Sequence, residues 1–361
     1  MMNLEIFSFF SGLGILDLGF HDVGFNVCFV NEVNNDFLTS YKYTRAKMNM
    51  PPPEYGYANS DIRNVFTEDK WNNIYKDARK KGIIGFIGGP PCPDFSFGGK
   101  NEGGSGTNGI LTQIYCEMII EKQPDFFLLE NVKGLIQTKK HKDFFEGLKR
   151  NLHDSGYYLV ETLDNALEYG VPQYRDRLFL VGLKKSVFGE KPDFQFGYGR
   201  TGKIKDILEL PWPTLDMFAI NTHVEKPFGI REDLTVQHWF EKNDVLNHAN
   251  ANDYFQPKLT TTKFQSVQEG DTHGKSFKRL HRWRFSPTAA YGNNEVHLHP
   301  YQARRISVSE ALAIQSLPCN FELPSELPLS AKFKMVGNGV PYLMSYSIAK
   351  GLYDWLKEHT H

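Results

Sequence analysis

The chain has 361 residues, which at the usual ~150 residues per domain suggests two domains. Its 40% hydrophobic and 23% charged residues belong to a folded globular protein and exclude a disordered, fibrous or collagen-like one. Lys plus Arg number 41 against 42 acids, a net charge of -1, which rules out a uniformly basic coat while leaving room for a local basic face.

Short apolar runs at Leu4–Phe10, Phe25–Val30, Ile83–Ile87, Phe126–Leu129, Tyr157–Thr162 and Arg177–Gly182 read as strands. Amphipathic stretches at Leu16–Val23, Gln113–Lys122 and Lys142–Asp154 read as helices between them. This alternation predicts βαβ units: an α/β, doubly wound, mostly parallel sheet with helices on both faces. After Gly182 the texture changes to Gly, Pro, Asn, His, Thr and Trp with little helical period, which predicts a smaller, irregular, β-rich module. A helix returns over Ser307–Leu317, opened by Ser307 or Ser309 with Glu310 and closed before Pro318. The turn Gly337–Pro341 then leads into a last helix, Tyr342–Leu356. The expected division is 1–185, 186–304 and a C-terminal segment 305–361 that packs back onto the first domain.

No apolar run reaches the roughly 18 residues of a membrane span, and the start MMNLEIFSFF lacks the cationic stretch and cleavage site of a signal peptide. Cys28, Cys92, Cys116 and Cys319 form no C-x-x-C pair. Neither a disulfide scaffold nor a metal site is expected, and a reducing cytoplasm is the natural location.

Several places could carry chemistry. Directly after the first strand, Gly12 and Gly14 in Phe10–Phe20 let the backbone turn tightly and approach a ligand, with a helix N-terminus following. A purely structural turn explains the glycine pair equally well. The dinucleotide fingerprint wants a glycine where Asp17 stands, which disfavours a nicotinamide cofactor. Glu32 closes the second strand about 20 residues on, suited to ribose hydroxyls. Asp61 could receive an adenine amino group with Ile62 on the ring, although a helix cap is the simpler reading of Asp61 alone.

Gly88-Gly89-Pro90-Pro91-Cys92-Pro93 follows the strand Ile83–Ile87 and puts a thiol between prolines at a strand's carboxyl end, where α/β proteins bind ligands. Cys28 and Cys116 lie in apolar patterns and read as inert core thiols. Glu130-Asn131-Val132 brings a carboxyl to the same sheet edge. Gln173, Arg175 and Arg177 alternate onto one face of another strand, suited to an anion or a carbonyl, or to a salt-bridge ladder with Asp176.

Taken together and in this order, these segments resemble the (cytosine-5) DNA methyltransferases along nearly the whole chain. Phe10–Phe20, Glu32, Ser60-Asp61-Ile62 and Asn108-Gly109-Ile110-Leu111 are similar to cofactor motifs, and Val336–Pro341 to the last of them. Pro90-Pro91-Cys92 resembles the nucleophile motif, and Glu130-Asn131-Val132 with Gln173-x-Arg175-x-Arg177 resembles the two cytosine-site motifs. Arg305–Pro318 resembles the motif that supports the recognition domain, and only about 190–285 lacks a family-wide pattern. Departures are Ser8 for an acid, Ile15 for a glycine, Pro93 for Gln, Asn108 for Arg and Met335 for Gln.

The resemblance implies a Rossmann-like class I methyltransferase fold, with S-adenosylmethionine as methyl donor, S-adenosylhomocysteine as product and no metal. For the donor it implies Phe10, Ser11, Gly12, Gly14 and Leu16 on the first turn, with Glu32, Val33, Asp61 and Ile62 beyond it. Pro90, Leu111, Asn338 and Gly339 would complete that site. Catalysis would rest on Cys92 as nucleophile, Glu130 as a protonated acid near N3 of cytosine, Arg177 on the ring carbonyl, and Arg175 on Glu130 or a phosphate. DNA contact would involve Ser96 and Gln173, and in the recognition region Arg279 and Arg282. Those two arginines lie in 258–284, which carries seven Lys/Arg against two acids with Phe277 and Trp283 interleaved. A solvated charged face is the competing reading.

The implied partner is double-stranded DNA, with a functionally paired restriction endonuclease as a candidate. A monomeric protein without membrane contact, associated with the nucleoid through DNA, completes the expectation. An RNA cytosine-5 methyltransferase and a catalytically silent DNA-binding homologue remain the alternatives. The Cys-Phe-Thr insertion of the tRNA-methylating branch is not found, and the reacting residues are intact.

Overall fold

The computed structural model describes residues 3–67, 69–91, 107–256, 262–274, 276–289, 291 and 296–360. Its first half alternates strand and helix: β1 (Asn3–Phe9), α1 (Ile15–Val23), β2 (Asn26–Asn31), α2 (Asn35–Lys47), β3 (Tyr57–Ala58), α3 (Ile62–Thr67), α4 (Asp69–Arg79), β4 (Gly82–Gly88), α5 (Thr107–Lys122), β5 (Phe126–Val132), α6 (Lys139–Asp154), β6 (Tyr157–Asn165) and β7 (Asp176–Lys184). The seven strands form one sheet in the order β3-β2-β1-β4-β5-β7-β6. All neighbours pair parallel except β7, which runs antiparallel to both β5 and β6.

The sequence makes this sheet by alternation. In β1, Leu4 and Ile6 face one apolar layer while Phe7 and Phe9 face the other, and Phe126/Leu128 and Phe127/Leu129 divide β5 in the same way. Each fully buried side chain of this size contributes roughly 1.5–3 kcal/mol, so the two layers are the main stabilising term. Cys28 and Cys116 are core thiols as expected, at 0% and 1% exposure. Burial pushes the Cys116 thiol up to about 12 and that of Cys28 higher still.

The reversal of β7 decides where the chemistry can sit. Because β7 is antiparallel, its first residues lie at the carboxyl edge of β5, with Arg177 opposite Val132 and Phe179 opposite Glu130. Phe9 pairs with Gly88 at the carboxyl ends of β1 and β4. Strand order switches direction there, the place where such sheets bind ligands.

Beyond β7 lie short helices α7 (Lys185–Phe188), α8 (Ile204–Leu208), α9 (Val236–Lys242) and α10 (Lys263–Ser266), then α11 (Val308–Ile314), α12 (Leu329–Asn338) and α13 (Tyr342–His359). The module 186–304 is irregular, as expected, but its β content among the described residues is limited to isolated bridges such as Asp216–Glu269 and Arg279–Leu298. Its chain order is held by side chains on backbone carbonyls rather than by strand ladders. Ser307 caps α11 in a capping box with Glu310. The expected turn at Gly337-Asn338 is instead the end of α12, and the chain turns only at Gly339. Helix α13 packs on α1. No helix among the described residues is long and apolar enough to cross a membrane.

Candidate active site

The glycine turn is built as the sequence requires. Phe10, Gly12 and Gly14 all have positive φ (53°, 58° and 78°), and Gly14 caps α1. A Cβ on Gly14 would lie 2.3 Å from the Tyr41 ring, so both conformation and space demand glycine. Glu32 reaches across from the end of β2: its Oε2 accepts from Gly12 N–H (2.8 Å) and its Oε1 from Asn34 N–H (2.8 Å). Burial pushes its carboxyl above the ordinary value, against the pull of those backbone donors.

Two asparagines tie the Asp61 segment to this corner. Asn31 Nδ2 donates to the carbonyls of Ala58 and Ser60 (3.1 and 2.8 Å), and Asn59 Nδ2 donates to those of Glu32 and Val33 (2.9 and 3.0 Å). Val33 is exposed at 62%, while Leu16 and Ile62 are closed into the core, so their side chains are not free for a ligand. Asp61 accepts from Arg63 N–H (2.9 Å) and pairs with its guanidinium (2.6 Å), the capping arrangement weighed above. Gly339 abuts Ile15 at the start of α1, which brings the exposed Asn338 to the same corner. Phe10 packs edge-on against Tyr115 of α5, which also borders Gly88, and Leu111 lies partly buried one turn earlier. The structure thus brings the segments around residues 10–14, 32–33, 59–62, 111 and 338–339 together at the carboxyl edge of β1 and β2.

The second half of the site lies one strand over. Pro90 is buried and Pro91 exposed after β4; Cys92 and Ser96 lie outside the described residues. Glu130 Oε1 stands 2.7 Å from Arg177 Nε, with side-chain exposures of 11% and 9%. The contact is close but poorly aligned, so it acts as an ion pair rather than a hydrogen bond. A Cβ on Gly89 would lie 2.7 Å from Glu130 Oε2, so the carboxyl fills the space beside that glycine. Burial pushes the Glu130 carboxyl above the ordinary range, opposed by Arg177 and Arg175. Its desolvation is therefore built into the protein before any DNA covers it.

Arg175 is 1% exposed. It donates to the Gly337 carbonyl (2.7 Å) and, more weakly, to Gln173 Oε1 (3.3 Å) and the Ala289 carbonyl (3.4 Å). So enclosed, it cannot take a DNA phosphate, and its remaining reach toward Glu130 is electrostatic. The alternative ladder with the Asp176 side chain does not form: Arg177 donates to the Asp176 backbone carbonyl (2.8 Å), and the carboxylate pairs with Lys133 (3.1 Å).

Three DNA assignments are corrected. Gln173 is 0% exposed, with its Oε1 accepting from Ala289 N–H (3.0 Å) and its Nε2 donating to Gln315 (3.1 Å). Arg279, also 0% exposed, donates to four carbonyls, those of Phe264, Val267, His299 and Gln302, and stacks on Phe218 at 3.6 Å. Arg282 forks onto Glu269 (2.8 and 2.7 Å) and donates to the Thr222 carbonyl (2.5 Å). A module with few strand ladders has many unpaired carbonyls, and an arginine's five donors satisfy several at once.

Sequence reasoning also missed a buried cluster under the glycine turn. Asp17, 1% exposed, accepts from Ser8 Oγ (2.8 Å) and Tyr41 OH (3.0 Å), while Arg45 donates to the Gly14 carbonyl (2.5 Å). Ser8 stands where the resemblance leads one to expect an acid, and an acid is beside it, contributed by α1. An aspartate inside the apolar face of α1 was the available signal. Among the described residues no group of His, Cys, Asp and Glu is arranged to hold a metal.

The sequence model of the C-5 cytosine-specific DNA methylase family matches residues 4–354. Type II methyltransferase M.NmeDI of Neisseria meningitidis serogroup C is 52% identical over 98% of this chain and 84% of its own length. Type II methyltransferase M.NgoFVII of Neisseria gonorrhoeae is 31% identical over 96% of this chain and 86% of its own. Among solved structures, a prophage-encoded DNA modification methyltransferase of E. coli matches with a TM-score of 0.67 at 24% identity, covering 98% of this chain and 100% of that one. The Dnmt2 methyltransferase of S. pombe matches at 0.60 with 14% identity, over 98% and 99%. These two structures share the fold. With the family match spanning almost every residue, the chain belongs to the C-5 cytosine-specific DNA methylases.

Proposed function

We propose that the protein methylates C5 of a flipped-out cytosine within a specific short duplex DNA sequence, using S-adenosylmethionine and a covalent bond between Cys92 and C6. The observation that carries this reading is the buried Glu130–Arg177 pair at the carboxyl edge of β5, one strand from the Pro90 segment and two from the glycine turn. The corner formed by Gly12, Gly14 and Glu32 fits the donor: a carboxylate for ribose hydroxyls beside backbone that approaches without a Cβ. Ser60 Oγ, shielded and without a partner, lies in the segment assigned to its adenine. When bound, S-adenosylmethionine supplies an electrophilic methyl group.

Cytosine C5 is a weak nucleophile. The Cys92 thiolate adds to C6, and the electron pair of the C5–C6 double bond moves into the ring, where a proton held by Glu130 at N3 neutralises it. Arg177 holds the ring carbonyl and Arg175 adds positive charge behind Glu130. The Pro90 carbonyl accepts from the exocyclic amine, which separates cytosine from thymine. A methyl group delivered to C5 would leave the donor as S-adenosylhomocysteine; the proton on N3 returns to Glu130, a base removes the C5 proton, and its electron pair re-forms the C5–C6 double bond as the C6–S bond breaks to release the Cys92 thiolate. The target atom is stacked inside a duplex, so the nucleotide must be extruded first.

On this reading 1–185 is the catalytic and donor-binding domain, 186–304 the recognition domain and 305–361 the returning segment. The setting is a restriction–modification system in the cytoplasm, with the protein acting as a monomer beside a paired endonuclease. Bisulfite sequencing of DNA from cells expressing the protein tests activity and target sequence together. Methylated cytosines in one recurring sequence are expected, and DNA indistinguishable from that of cells lacking the protein overturns the reading.

A further inference from the structure

The cluster beneath the glycine turn has a cost that packing alone does not explain. Asp17 sits in the first turn of α1, 1% exposed, and makes no direct ion pair among the described residues. Burying a carboxylate costs several kcal/mol, and an apolar residue of similar volume is often the more stable choice. Burial pushes the Asp17 carboxyl upward, against Arg45, Ser8 and Tyr41.

Contacts from three members of this cluster converge on the turn Ser11–Gly14. Ser8 Oγ, bound to Asp17 Oδ1, also meets Ser11 Oγ at 3.1 Å, and Ser11 Oγ donates to the Asn31 carbonyl at 3.0 Å. Tyr41, whose hydroxyl donates to Asp17 Oδ2, presses its ring against Gly14. Arg45 lies over that ring at 4.6 Å and donates to the Gly14 carbonyl. From the other side, Glu32 accepts from Gly12 N–H. The turn Ser11–Gly14 is thus clamped between the proposed ribose acid and a network centred on Asp17.

We infer that Asp17 is a positioning residue for the methyl donor, fixing through Ser8, Tyr41 and Arg45 the glycine turn of the proposed donor site. The inference deepens the proposed function and rests on it. A turn held to a fraction of an ångström binds its ligand in one pose, and a turn released from its clamp binds less tightly while the reacting groups one strand away stay as they were.

The test is steady-state methylation of duplex DNA by the full chain and by Asp17→Asn, which keeps the side chain's size and removes its charge. The KM for S-adenosylmethionine should rise about tenfold, a loss of the order of one good hydrogen bond to a charged group. The kcat at saturating donor should stay within twofold, and DNA affinity should be unchanged. A folded variant with the KM within twofold of wild type overturns the inference, as does one whose kcat falls with KM unmoved. Should Asp17→Asn fail to fold, Tyr41→Phe, which removes only the hydroxyl on Asp17 Oδ2, is judged by the same split. Calorimetric titration of the wild-type chain with S-adenosylhomocysteine separates the two levels. Wild-type binding with unaffected variants rejects Asp17 alone, and absence of wild-type binding rejects the donor site and Asp17 together.

Discussion

Replacing Arg279 with alanine distinguishes a buried strut from a DNA contact. Four carbonyls lose their donor and the Phe218 ring loses its cation. Hydrogen bonds from a charged donor are worth roughly 1.5–3 kcal/mol each, and water can recover part of that once the site opens. Against this stands the relief of burying the guanidinium, whose pKa burial lowers from 12.5 to about 10. That shift corresponds to roughly 3 kcal/mol. The balance is a loss of about 2–4 kcal/mol of stability in the module 186–304, near the upper end for a single substitution. Urea unfolding followed by tryptophan fluorescence reads the loss, since Trp239 and Trp283 lie in that module. DNA binding across a salt series, measured where the variant is folded, supplies the other arm. A phosphate contact would reduce the slope of log K against log salt by about 0.9, whereas a strut leaves it unchanged. A lowered salt slope with an unaltered unfolding midpoint would refute the assignment.

Further expectations concern the reaction. Cys92→Ser should abolish turnover while donor and DNA binding survive, and 5-fluorocytosine DNA should trap a denaturation-resistant adduct with the wild-type chain only, read on a denaturing gel. Glu130→Gln should lower kcat by about 10²–10⁴-fold, the usual span for a lost general acid, in single-turnover assays. Because burial raises the Glu130 pKa, the protonated form persists above the ordinary carboxylate range and is lost as pH rises through the raised value. The wild-type rate should therefore fall on the alkaline side of that value, and a flat profile there would count against Glu130 as the acid. Gly14→Ala should weaken donor binding at least tenfold, since a positive φ costs a residue with a Cβ about 1–2 kcal/mol and the Tyr41 ring must also move; isothermal titration checks it.

β1, β2, β4 and β5 were legible because buried strands with parallel neighbours read as continuous apolar runs, and the antiparallel β6 and β7 carry enough apolar residues to show as well, so six of the seven strands among the described residues were found within a few residues of their bounds. The two-residue β3 is too short to carry a pattern. Helix α2 was missed for a different reason. Its buried face comprises Phe37, Leu38, Ser40, Tyr41, Thr44 and Arg45, so polar residues interrupt the apolar period that marks a helix. With α2 unseen, the Asp17 cluster was invisible too, since Tyr41 and Arg45 come from it. In the recognition module the sequence could not separate a buried arginine from an exposed one, because the charge run is the same in either case. What distinguishes Arg279 is a set of carbonyls from two stretches of the chain, 264–267 and 299–302, that converge on it.

The candidate site was legible as a list of residues and illegible as an arrangement. Nothing in Gln173–Arg177 says that β7 runs against its neighbours, yet only that direction puts Arg177 beside Glu130. Were β7 parallel, its first residues would lie at the opposite edge of the sheet, some 20 Å away for a strand of this length at the usual rise. The same reversal places Arg175 just ahead of the strand, where the carbonyls of Ala289 and Gly337 close over it. Two guanidiniums and one carboxyl are thereby buried together, and there desolvation outweighs the pull of both arginines and favours the neutral form of Glu130. On the proposed reading the acid is prepared by strand direction and by the Ala289 and Gly337 carbonyls that close over Arg175, before any nucleotide arrives.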